Sequence, residues 1–177
     1  MKQVLFLSFI FPLLLIGNSL KVSVSHTSSA IDGEFQIGTT PISVRGGGVH
    51  HRNNSLFKGN STFEYVGIST TGGMVGFPTL RLSLMVDLVH SSHRTAIPFG
   101  IGFSYLYPYG WLPIFIRGYL EYANSNLTYG KANRFFRGEV DLGIQPISNG
   151  EIFIGYRSIS WNSNWDSVYL LGLGFIF

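Results

Sequence analysis

The sequence predicts an all-β protein, a transmembrane antiparallel up-and-down β-barrel of about ten strands, with eight as the alternative count. Three observations predict it. Only 12 % of the 177 residues are charged, against roughly 25 % in ordinary soluble domains, while aromatics reach 15 % and glycine counts 22. Such a chain either hides its surface from water or faces lipid. Beyond residue 20 no apolar run approaches the roughly 18 residues that a spanning helix needs, because Gly, Ser, Asn or a charge breaks every stretch. Apolar side chains instead recur at every second position, the period of a strand with two different faces. In hydrocarbon, a sheet satisfies its backbone only by closing on itself.

The N-terminus reads as an address. Met1, Lys2 and Gln3 form a short positive region and Val4 to Ile16 an apolar one, too short to span. Gly17 and Ser19 are small residues suitably placed for cleavage before Leu20, so residues 1–19 are expected to be a signal peptide and residues 20–177 the barrel. A later cut near Ala30 is the alternative.

The strands follow in order. Leu20 to His26, Gly33 to Gly38, Ile42 to His51 and Thr62 to Thr71 are the less regular ones. In Thr79 to Val89, Leu80, Leu82, Leu84, Val86 and Leu88 oppose Arg81, Ser83, Met85 and Asp87. In Ala96 to Tyr107, bulky residues from Ile97 to Tyr105 oppose Pro98, Gly100, Gly102 and Ser104. Ile114 to Ala123 sets Ile114, Ile116 and Leu120 against Arg117 and Glu121, and Asn133 to Gln145 sets Val140 and Leu142 against Arg137, Glu139 and Asp141. Glu151 to Ser160 sets Ile152, Ile154 and Tyr156 against Arg157, and Val168 to Phe177 sets Tyr169, Leu171, Leu173 and Phe175 against Gly172 and Gly174. Counting from a periplasmic N-terminus, Thr39 to Pro41, Gly72 to Pro78, Pro108 to Trp111 and Pro146 to Asn149 become the inner turns. Arg52 to Ser61 and Asn124 to Ala132 become longer, polar outer loops, the usual asymmetry of such barrels.

Alternation places most of the charge inside. Arg45, Arg81, Arg117, Arg137 and Arg157 share the inward face with Asp87, Glu121, Glu139 and Asp141. Partly desolvated, these groups must pair, as a polar plug or as the lining of a narrow selective pore. His26, His50, His51, His90 and His93 all fall at strand ends or loops on the outer side. Converging, they could hold Zn, Cu or Ni; otherwise they are polar loop residues. The run His90-Ser91-Ser92-His93 faintly resembles the His-x-Ser of outer-membrane lipid A deacylases, yet no Asp or Glu occurs from Leu88 to Leu120 to orient a histidine. The sequons at Asn53, Asn60 and Asn126 are loop composition in a bacterial barrel.

The net charge of +3 carries no run of Lys and Arg with interleaved aromatics, so nucleic acid is not a partner, and without cysteine there is neither a disulfide nor a thiolate metal site. No cofactor is expected. The C-terminal half resembles the YfaZ family of outer-membrane proteins over roughly residues 96–177. The resemblance is carried by Arg117-Gly118-Tyr119-Leu120-Glu121-Tyr122-Ala123 with Leu127, by Arg134-Phe135-Phe136-Arg137, and by Gly155-Tyr156-Arg157 ahead of a last strand ending in Phe177. Where that family continues its Tyr-Ala with Pro, Asn124 stands here. The resemblance implies a small, porin-like outer-membrane barrel of unassigned activity and no catalytic residues. Phe177 resembles the C-terminal signal read by the barrel assembly machinery, which with outer-membrane lipid completes the expected partners of a monomer. The expected function is thus a Gram-negative outer-membrane barrel, a narrow channel with a charge-filled lumen and no enzyme; the alternatives are a rim enzyme acting on lipid A and a surface interaction or metal-binding barrel.

Overall fold

The computed structural model describes residues 19–54, 59–107 and 112–177, so the predicted signal peptide, apart from Ser19, and the predicted turn at Pro108 to Trp111 lie outside the described residues. Twelve strands are present among those described: β1 (Ser19–Val24), β2 (Ser28–Gln36), β3 (Ile42–Asn54), β4 (Gly59–Met74), β5 (Phe77–Ser91), β6 (Arg94–Ala96), β7 (Phe99–Tyr107), β8 (Ile114–Ala123), β9 (Thr128–Gly130), β10 (Phe135–Ile147), β11 (Gly150–Trp161) and β12 (Asn164–Ile176). Ten of them pair antiparallel in a closed circuit, from β1 through β2, β3, β4, β5, β7, β8, β10 and β11 to β12 and back to β1. Closure leaves no sheet edge in the barrel. The short β6 and β9 pair with each other and extend β5 as a flap at one end.

The ten barrel strands answer one for one to the ten predicted ones, although several run longer. Gly72 to Pro78, predicted as a turn, is mostly strand: Gly72 pairs with Leu82 and Gly73 with Arg81, leaving Val75 and Gly76 as the turn. Gly76 adopts a positive φ (85°), a conformation open to glycine at no steric cost. The strand predicted at Ala96 to Tyr107 is interrupted at Ile97 and Pro98. Proline has no N–H for the ladder; on the other side of it β6 keeps the same register on β5 but has β9 as its other neighbour in place of β8. The Arg52 to Ser61 loop is shorter than predicted, since β3 and β4 occupy both of its ends.

Side chains sort by parity, inverted relative to a water-soluble protein. Leu84 and Ile101 are each 61 % exposed and Tyr169 80 % exposed, whereas Asp87, Glu121, Asp141 and Arg137 are each only 1 % exposed. Ser19, Phe177 and the connections 37–41, 75–76 and 148–149 lie at one end, the terminal end. The other, the loop end, carries the β5–β7 and β8–β10 connections with the flap between them.

Candidate functional site

The lumen is layered, and each layer follows from which inward positions hold charge and which hold aromatic carbon. At the loop end the inward residues are Phe63 on β4, Phe135 on β10 and Ile159 and Trp161 on β11, all buried, with Val49, Val89 and Ala123 around them. Phe135 stacks on Phe63 at 5.8 Å and meets Trp161 at 4.7 Å between ring centroids. The β8–β10 connection lays Leu127 and Ala132 against this cluster. It is strapped down by Asn162, whose side chain accepts from the Asn133 N–H at 2.6 Å and donates to the Lys131 carbonyl at 3.2 Å. The result is an apolar stopper.

Below it lies a first ion-pair layer. The Arg137 guanidinium reaches Asp87 at 2.8 Å and Glu121 at 2.7 Å, while Arg45 approaches the same two carboxylates at 3.5 and 3.3 Å. Tyr65 and Tyr119 cover the cations: the Arg137 guanidinium carbon sits 4.0 Å from the Tyr65 ring centroid and 5.1 Å from that of Tyr119. Arginine suits this place because its planar fork can bond carboxylates edge-on while its face stacks on a ring. In a second layer, Glu139 takes both Arg157 and Lys21, Lys21 also reaches Asp141 at 2.7 Å, and Arg117 joins Asp141 at 3.0 Å to Glu151 at 2.7 Å. Arg157 further reaches Asp32 at 3.3 Å, and Asp32 accepts from the Tyr65 hydroxyl at 2.6 Å.

Beneath these layers a polar vestibule of about 870 Å³ opens at the terminal end, with Glu34, Arg81, Arg117 and Glu151 among its walls. Of the nine residues predicted for the charge network, eight are ion-paired in the two layers. Arg81 is not: it stands exposed at the vestibule and makes no ion pair among the described residues. Three further members were missed, Lys21, Asp32 and Glu151. Their signal was parity, since Lys21 alternates with Val22, Asp32 with Ile31 and Glu151 with Ile152. The stopper was missed for another reason. Inward Phe63, Phe135 and Trp161 look in sequence like the outward-facing aromatics beside them, so the lumen is charge-filled over only part of its height.

The histidines share the loop end but do not converge. His50 and His90 face outward, His26 and His93 are exposed in turns, and His51 is buried with Nδ1 3.0 Å from Asp166. Among the described residues no three His, Cys, Asp or Glu side chains are placed to hold a metal ion. In the His90 to His93 run, Ser91 faces inward and donates to the Thr62 carbonyl at 3.1 Å. His90 faces outward, its Nδ1 3.1 Å from the Thr95 hydroxyl. Ser92, the serine of the His-x-Ser spacing, stands exposed in the turn at φ 53° with no hydrogen bond to His90 among the described residues, so base and nucleophile do not assemble.

No family model and no curated protein matches the chain, and the YfaZ resemblance gains no support from either. Solved structures similar to it include the KdgM porin and the KdgM porin in complex with disordered oligogalacturonate. Each aligns at 10 % identity with a TM-score of 0.50, over 90 % of this chain and 98 % of the porin. The shared feature is the fold, a closed antiparallel β-barrel, reached with almost no sequence in common.

Proposed function

We propose that the protein is a Gram-negative outer-membrane barrel of porin build, with its terminal end toward the periplasm and its lumen held shut as a narrow, closed channel. The observation that carries this reading is the order of layers along the lumen: a vestibule open at one end, two ion-pair layers, then an apolar stopper at the other. A continuous water path would have to cross both kinds of layer. Neither the His–Ser run nor the separated histidines gives the enzyme or metal reading comparable support. The membrane placement itself draws support from the inverted parity and from the porin fold of the two solved structures.

Recording from the purified barrel in planar bilayers tests the channel. The wild type is expected to give no stable conductance step, and Phe135→Ala combined with Trp161→Ala is expected to give a small, steady one. A heat-sensitive gel shift of both proteins verifies that the barrel has folded. A wild type conducting like an open porin would overturn the stopper; silence from a folded double variant would overturn the channel and leave a purely structural barrel.

A further inference from the structure

On the outer wall, β4, β5, β7 and β8 frame an apolar groove of about 830 Å³, bounded by Leu84, Val86, Phe99, Ile101, Leu120 and Phe136. Hydrocarbon side chains line it almost without a polar atom. The flap sits above it in register: Val86 pairs with Phe99, Val89 with Ala96, and Ala96 in turn with Thr128. Tyr129 there is 55 % exposed, an amphipathic ring at the boundary between the apolar wall and the polar loops.

Cations gather at the same corner. The Lys131 N–H donates to the His93 carbonyl at 3.2 Å, which brings the β8–β10 connection against the β5–β6 turn. Arg134 lies two residues before Phe136, and both Lys131 and Arg134 are exposed. Arg134 donates to the Asn162 carbonyl and the Ser163 hydroxyl, two of its five N–H donors, and the rest stay available. The acid on that face is Glu64, the cross-strand partner of His90; the other loop-end acid, Asp166, lies against His51.

The geometry points to this corner as a binding site for a phosphorylated, multiply acylated glycolipid of the outer leaflet, its acyl chains in the groove and its phosphate on Lys131 and Arg134. Two independent features share one side of the wall, a groove that fits hydrocarbon and, toward the loop end, a pair of exposed cations that fits an anion. A bulk bilayer needs only the first. The inference rests on the membrane placement proposed above.

The folded barrel in neutral detergent is titrated with diphosphorylated lipid A, with the same lipid dephosphorylated, and with inorganic phosphate, binding being read by native mass spectrometry. The phosphorylated lipid is expected to bind at least tenfold tighter than the dephosphorylated one, with millimolar phosphate failing to displace it. Lys131→Gln with Arg134→Gln is expected to weaken it about 30-fold, at roughly 1 kcal/mol per cation. Lys131→Glu alone, which leaves the Arg134 bonds in place, is expected to weaken it in the same direction. Equal binding of the two lipids, unchanged binding by these variants, or displacement by phosphate overturns the site. Should the barrel still fractionate with the outer membrane in that case, the membrane placement survives and only the lipid site falls.

Discussion

Arg137 shows how much a single inward side chain carries. It is fully enclosed between two carboxylates and two tyrosine rings, and its charge is tolerable there only because Asp87 and Glu121 answer it. Removing one partner from a buried ionic cluster leaves the others uncompensated. Arg137→Met leaves Arg45, at 3.3 and 3.5 Å, as the one cation facing both acids. The variant is expected to lose about 3–5 kcal/mol of stability, measured by urea unfolding in detergent. Arg81→Met, at the exposed vestibule wall, serves as control and is expected to stay within about 0.5 kcal/mol of wild type. Equal losses for the two would show that the layers contribute nothing beyond filling space. Asp87 and Arg137 were legible by alternation alone, because a charge in phase with small or polar neighbours and out of phase with leucine has one face available to it. Their pairing partners were not legible, since β5 and β8 are brought together only through β7 and β10 only through β8, registers that no local pattern encodes.

Among the elements, the strands were the easiest to read and the connections the hardest. Parity fixes a strand's face, and a one-residue slip would turn every leucine of β5 inward, so the register of the wall is strongly specified. The turn at Val75 and Gly76 looked longer because Gly72, Gly73 and Pro78 are turn-forming residues, yet cross-strand pairing outweighs their weak local preference. The β8–β10 connection was expected to be a loop; that it lies over the stopper depends on Asn162, thirty residues away and in the left-handed region at φ 62°. Asn162→Gly keeps that backbone conformation accessible and removes both side-chain bonds to the connection. Tryptic cleavage after the exposed Lys131 is expected to speed up about fivefold, matching two hydrogen bonds at roughly 0.5 kcal/mol each. An unchanged cleavage rate would show that the flap pairing, and not Asn162, holds the connection down.

Across the whole molecule, the decisive property is that the apolar surface is on the outside. Leu84 is 61 % exposed at mid-height on β5, within the apolar band. In water, Leu84→Arg would be nearly neutral or favourable. In hydrocarbon it is expected to cost about 2–4 kcal/mol and to reduce the folded barrel recovered in the outer-membrane fraction, read by fractionation and by the heat-sensitive gel shift. Wild-type recovery of Leu84→Arg would argue against lipid on that face. The sequence by itself determined the inside and outside of each strand and the end at which the histidines gather, because alternation and turn chemistry are local and bind each residue only to its neighbours, while ten strands over eight was settled by closure. Tertiary structure alone decided that the lumen divides into a vestibule, two ion-pair layers and an apolar stopper, and that a groove and a cationic corner share one side of the wall. Those depend on which inward residues come to equal height when ten strands close with their stagger, a relation between distant parts of the chain that exists only once the barrel is shut.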